Sequence, residues 1–108
     1  MGNIEGKNMG IADNRTPLRD LIARCQHDIR DLSGHENAAW LARWQQCSTD
    51  IELVRFIQRL IWNDHARIYG RRIARAGGLS LELIVLNYWP ELFTQADIKI
   101  AQDTLRDT

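Results

Sequence analysis

Four closely spaced arginines form the most chemically distinctive group in this sequence: Arg67, Arg71, Arg72 and Arg75. No acidic residue occurs between His65 and Gly78. Guanidinium groups clustered on a helix can bind nucleic-acid phosphates or an acidic protein surface. The structural alternative is that they complement the C-terminal dipole of a helix. They could also pair with the acid-rich tail, which holds Glu82, Glu91, Asp97, Asp103 and Asp107.

The residue types that bind zinc are present but scattered: Cys25, His27, His35, Cys47 and His65. Their spacing matches none of the compact ligand pairs of zinc sites. Nucleophilic catalysis would need a base beside a cysteine. Cys25 and His27 are two residues apart on a predicted helix, so their side chains point away from each other. The glycine pair at 77–78 lacks the strand and lysine of a phosphate-binding loop. We therefore predict no catalytic residue, no metal and no cofactor site, and expect that the protein is not an enzyme.

Composition limits the partners that the whole molecule can attract. The chain has 108 residues, with 14 basic and 14 acidic side chains. Such a balance produces no long-range attraction to DNA or anionic lipid, so binding would depend on a local patch. No apolar run could span a bilayer and no signal-peptide core is visible, which predicts a cytoplasmic location without membrane contact. Cys25 and Cys47 are then expected to be thiols, with a disulfide between adjacent helices as the alternative.

Helix-start and helix-stop residues recur along the chain. Residues 1–15 have no periodicity and are predicted to be a flexible leader, whereas 16–108 form a single helical domain. A Thr-Pro pair at 16–17 predicts a first helix ending near Leu32. Capping boxes are predicted for the pairs Ser33–Glu36, Thr49–Glu52 and Thr94–Asp97, and a cap is predicted at Ser80.

The fold class predicted from these signals is all-α, a compact bundle of four to five helices. Residues 83–86 could instead form a buried strand, because periodicity does not settle so short an apolar run. The predicted core comprises Leu21, Ile22, Ile29, Leu41, Trp44, Val54, Ile57, Leu60, Ile61, Leu86 and Leu105.

One long central helix is predicted at about 49–76, ending at the glycine pair. Its apolar stripe runs to His65 and Ile68, and beyond Gly70 the same face becomes arginine. Because burying unpaired guanidinium is costly, the helix must kink or restart near Gly70, or project a basic end beyond the core.

A second stripe on this helix comprises Trp62, Tyr69 and Ile73, at steps of seven and four residues. That spacing is typical of a helix–helix seam. The stripe is therefore either covered within the bundle or used for self-association in a homodimer.

Two segments resemble the D subunit of the bacterial flagellar master transcription regulator. They are Gln58-Arg59-Leu60-Ile61 with Asp64 and Ala66, and Gly78-Leu79-Ser80 before an apolar helix. The resemblance covers less than a third of the chain and requires a long N-terminal addition. It implies an all-helical dimer that acts with a DNA-binding partner subunit, and it transfers no residue roles.

The function predicted from the sequence is that of a small regulatory or adaptor protein that binds a protein partner. The alternative is a helical DNA- or RNA-binding transcription regulator that uses the basic end at Arg67–Arg75. Salt dependence distinguishes the two, because phosphate-driven binding weakens steeply with salt.

Overall fold

Five helices make up the computed structural model, which describes residues 15–33 and 42–106. They are α1 (Leu18–Ser33), α2 (Asp50–Ile61), α3 (Asp64–Arg75), α4 (Leu81–Leu83, continuing as the π-turn Ile84–Tyr88) and α5 (Gln95–Arg106). Short 3-10 helices occupy Arg43–Gln46 and Pro90–Leu92. No strand occurs in the described residues, so the predicted all-α bundle is confirmed and the strand considered for 83–86 is wrong.

Side-chain caps begin the helices where the sequence predicted them. At Thr49 the hydroxyl accepts from the Glu52 N–H at 3.2 Å, and the Glu52 carboxylate accepts from the Thr49 N–H at 3.1 Å. The Thr94–Asp97 box is formed in the same reciprocal way, and the Ser80 hydroxyl caps α4. Glu36 of the predicted Ser33–Glu36 box and residues 1–14 of the predicted leader lie outside the described residues, and Ser33 is the last residue of α1.

The predicted single helix over 49–76 is wrong, because the chain leaves the helical conformation at Asn63. This residue has φ −89° and ψ 122°, and its side chain accepts a hydrogen bond from the Ala66 N–H at 2.9 Å. Asn63 therefore caps a new helix instead of continuing the old one. Of the alternatives considered for this helix, a kink or restart at Gly70 is also wrong, since that glycine lies inside α3.

The break changes which residues face the core. The buried residues of α3 are Ala66, Gly70 and Ile73. His65 and Ile68, which the uninterrupted pattern assigned to the apolar stripe, are exposed. Two shorter helices thus bury different faces and avoid the conflict between the stripe and the arginines.

The core is formed mainly by α1 and α2, with α3 packed against both. Its fully buried side chains include Leu21, Ile22, Leu53, Ile57, Ile61, Ile73, Ile84 and Val85. Of the predicted core residues, Leu21, Ile22, Ile29, Ile57 and Ile61 are buried; Trp44, Val54, Leu60, Leu86 and Leu105 are partly buried; and Leu41 lies outside the described residues.

Polar contacts attach the connecting segments to this core. Gly77 has φ +82°, and the Gly78 N–H bonds the Ile73 carbonyl at 2.9 Å, which closes α3 with a glycine C-cap as predicted. The Leu79 N–H then bonds the Asp28 carboxylate of α1 at 2.8 Å. Arg15, the last residue of the predicted leader, is anchored by an ion pair to Glu91.

None of the helices in the described part of the chain is long and apolar enough to cross a membrane.

Replacing Asn63 with alanine should lower the free energy of unfolding by about 1 kcal/mol, because the Ala66 N–H loses its capping partner. Urea denaturation followed by far-UV circular dichroism measures this loss. Asn87→Ala is the matched control, since Asn87 is exposed and makes no side-chain hydrogen bond to the described residues. An equal loss in both variants would contradict the capping role.

Candidate functional site on the third helix

The four arginines of the predicted cluster do not share one surface. Arg72 and Arg75 are exposed, whereas Arg67 and Arg71 are partly buried on the flank of α3. The Arg67 Nε donates a hydrogen bond to the Thr104 hydroxyl of α5 at 2.7 Å. At about 100° per residue, positions 67 and 72 lie about 140° apart around the helix, which places Arg67 inward and Arg72 outward. Arg75 lies between these two directions and is exposed near the end of α3.

A buried carboxyl group lies beneath the two inward arginines. Glu82 of α4 is only 2% exposed, and its Oε1 accepts no hydrogen bond within the described part of the chain. Burial raises its pKa to about 7, although its own backbone N–H and the charges of Arg67 and Arg71 oppose the rise. One acid that follows the cluster in sequence therefore interacts electrostatically with two of its arginines, in line with the structural interpretation of the cluster.

Gly70 allows this carboxyl group to approach the backbone of α3. A Cβ atom at position 70 would lie 2.3 Å from the Glu82 Oε1 and 2.9 Å from its Cδ. No side chain could occupy that position without moving Glu82. The glycine at the centre of α3 thus allows close packing and does not mark a break in the helix.

A cavity of about 10 Å³ adjoins Glu82, and Cys25 of α1 also lines it. This volume is near the lower limit for holding a single water molecule. Burial raises the pKa of the Cys25 thiol, and the neighbouring charge of Glu82 raises it further. The thiol therefore stays protonated at neutral pH and is a poor nucleophile. Cys25 and Cys47 are both free, so the disulfide alternative is not adopted.

The outward face of α3 combines an apolar side chain with aromatic and basic ones. Ile68 lies on this face and is 43% exposed. The ring of His65 meets that of Tyr69 edge to face, with centroids 5.4 Å apart. The Arg72 guanidinium lies 5.8 Å from the Tyr69 ring centroid. We name the residues His65, Ile68, Tyr69, Arg72 and Arg75 the outer face of α3.

The predicted self-association stripe is not a continuous surface. Ile73 is fully buried, Tyr69 is partly buried, and Trp62 is 51% exposed. Because Trp62 precedes the Asn63 break, the spacing of seven residues to Tyr69 no longer describes one helix. Ile73 is therefore a core residue and cannot contact a second molecule in this fold.

Trp62 instead takes part in a polar group that the sequence did not reveal. The Asp97 carboxylate of α5 accepts hydrogen bonds from the Trp62 indole at 2.8 Å and from the Gln58 amide at 2.7 Å. Burial acts to raise the Asp97 pKa, but these bonds and those from Thr94 outweigh it, so the pKa is lowered. The Thr94–Asp97 spacing signalled only the cap; the contacts to α2 depend on tertiary packing.

The scattered zinc-type residues do not come together within the described residues, where no group of three potential ligands could hold a metal ion. His27 lies instead beside two acids of its own helix, with ring nitrogens 3.6 Å from Asp28 and 3.1 Å from Asp31. His35 lies outside the described residues.

Comparison with known proteins gives no family for this chain. No family model matches it, and neither the curated proteins nor the solved structures include a significant match. The resemblance to the flagellar regulator subunit gains no support from these comparisons.

Glu82→Gln should remove a pH-dependent loss of stability. Because the pKa of Glu82 is raised from 4.5 to about 7 on folding, the folded wild type binds more protons between these pH values. Its stability should therefore fall as the pH rises through that window, on the order of 3 kcal/mol in total. The glutamine variant should lack this component in urea titrations at each pH.

Asp20→Asn is the control for that titration, because it removes an exposed acid from α1. Its pH profile should run parallel to that of the wild type. If the glutamine variant also runs parallel to the wild type, Glu82 is not titrating between pH 4.5 and 7.

Gly70→Ala should destabilise the wild type by about 1–3 kcal/mol, because the added methyl group overlaps the Glu82 carboxyl group. The same change in a Glu82→Ala background should cost less, since the overlapping atoms are gone. A double-mutant cycle of unfolding free energies measures the coupling. Additive effects would show that the two residues do not compete for the same space.

Proposed function

We propose that this chain is a small, non-catalytic regulatory or adaptor protein of the cytoplasm that binds a protein partner through the outer face of α3. The observation that supports this most directly is the exposure of Ile68, an apolar side chain that is 43% accessible on this helix face. Aromatic and arginine side chains surround it, and these residue types contribute much of the binding energy at protein interfaces.

The rigidity of α3 favours this surface as a binding element. The helix is capped at its start by Asn63 and at its end by Gly77. A face held in a fixed conformation loses little entropy on binding. Its exposed charges, Arg72 and Arg75, are both positive, so the complementary partner is an acidic protein surface around an apolar pocket for Ile68.

A DNA- or RNA-binding regulator is the alternative proposal for the same end of the molecule. Arg72 and Arg75 face outward and support it. The inward orientation of Arg67 and the equal totals of 14 basic and 14 acidic residues limit the number of phosphates that could be neutralised. Two phosphate contacts would give a slope of about −2 in log affinity against log salt, much shallower than for a dedicated DNA-binding surface.

A homodimer remains a proposal, but with a different surface from the predicted stripe. Trp62 and Ile68 are exposed, whereas Ile73 is not. If a second copy is the partner, light scattering of the wild type at high micromolar concentration will give the mass of a dimer.

The partner-binding proposal is tested by affinity capture followed by mass spectrometry. The doubly substituted variant Ile68→Asp/Arg72→Glu should recover about tenfold less of the partner that the wild type retains at high salt, as expected for loss of an interface hot spot. Ile51→Asp is the matched control, because Ile51 is 65% exposed on α2, away from the proposed surface. That variant should retain the partner.

Two results would overturn the proposal. One is equal loss of the partner in the control variant, which would indicate a general effect of the new charge. The other is capture of nucleic acid instead of protein, with retention on heparin and an affinity that falls with salt at a slope of about −2, which would favour the alternative.

A further inference from the structure

A second surface, separate from the outer face of α3, lies where the first 3-10 helix meets α2. It is a hollow of about 390 Å³, within the range of roughly 300–1,000 Å³ found for small-molecule sites. The 3-10 helix Arg43–Gln46 forms one side and α2 the other. Its lining residues are Arg43, Gln46, Cys47, Glu52, Arg55, Phe56 and Arg59.

Positive charge dominates this hollow. Arg43, Arg55 and Arg59 all line it and are all exposed. In the described part of the chain, none of the three has a carboxylate within ion-pair distance, unlike Arg15 and Arg106. The guanidinium groups around the hollow are therefore available to a ligand from solution.

The single acid of the hollow is already engaged. The Glu52 Oε1 accepts hydrogen bonds from the backbone N–H groups of Ser48 at 2.6 Å and Thr49 at 3.1 Å. These bonds lower the pKa of Glu52 and keep its carboxylate at the start of α2. It is thus held in the helix cap, and although its charge interacts with that of Arg55 on the same helix, it offsets only part of the positive charge of the three arginines.

Contacts with α1 hold the 3-10 side of the hollow in place. The Trp44 indole donates to the Gln26 side chain at 2.7 Å. An Arg19 guanidinium nitrogen donates to the Cys47 carbonyl, and the same guanidinium lies 5.6 Å from the Trp44 ring centroid. Arg55 and Arg59, one turn apart on α2, occupy the other side. Both walls are thus attached to the folded core.

We propose that this hollow binds a small ligand through a diphosphate group. A guanidinium group presents a planar fork of donors, which matches two oxygens of a phosphate. The hydrogen-bond donors of three guanidinium groups outnumber the acceptor positions of a single carboxylate. A diphosphate has enough oxygens and negative charge to bind all three groups. No exposed aromatic ring lines the hollow in the described residues to stack on a base, so recognition rests on the phosphoryl groups.

Isothermal titration calorimetry of the full chain with inorganic pyrophosphate tests this site. The wild type should bind pyrophosphate, and Arg55→Gln/Arg59→Gln should raise the dissociation constant at least tenfold. Both substituted residues are exposed, so circular dichroism should show an unchanged fold. Arg24→Gln/Arg30→Gln removes the same charge from exposed positions of α1 outside the hollow and should bind as the wild type does.

A parallel titration with adenosine diphosphate distinguishes a nucleotide ligand from a free diphosphate. Binding much tighter than that of pyrophosphate assigns a nucleotide to the hollow, and equal binding assigns recognition to the diphosphate alone. The proposal is overturned if the wild type gives no saturable binding at millimolar pyrophosphate. It is also overturned if the α1 control loses as much affinity as the α2 variant.

Discussion

The hydrogen bond from the Ala66 N–H to the Asn63 side chain determines how the second half of the molecule is arranged. It starts α3 in a new direction, so that Gly70 and Ile73 face the core and Ile68 faces solvent. Without this break, one helix would carry an apolar stripe and an arginine stripe on the same side. Burying those arginines would be highly unfavourable. The cap at Asn63 avoids this by starting a new helix in a different direction.

The packing of α3 against α4 depends on a contact that is unfavourable on its own. Glu82 loses its hydration, and its raised pKa reflects that loss. The approach is possible only because residue 70 has no side chain. The charges of Arg67 and Arg71 offset part of the desolvation cost of Glu82. A buried ionisable group of this kind does not by itself indicate a more stable fold. The Glu82 site is therefore a sensitive point of the fold, coupling helix packing to the protonation of one carboxyl group.

The positive surfaces of this protein arise from local structure and are not visible in its overall composition. The totals of acidic and basic residues are equal, yet the two proposed binding surfaces are both positive. At the outer face of α3, Arg72 and Arg75 remain outward while Arg67 bonds to Thr104. In the hollow beside α2, the cap holds Glu52 and leaves the arginines to face solvent. Helix capping and helix rotation thus create local fields that the net charge conceals.

Local signals in the sequence determined the helical class and most helix ends. Thr49, Ser80 and Thr94 cap helices because each needs only residues three positions away, and Gly77 closes α3 because few other residues adopt positive φ. Asn63 carried a cap signal as well, but the apolar periodicity on both sides masked it. Only the tertiary structure decided that Ile73 is core, that Ile68 is surface and that Glu82 is buried against Gly70. Those outcomes depend on the direction in which one helix crosses another, which is set by contacts between residues distant in the chain.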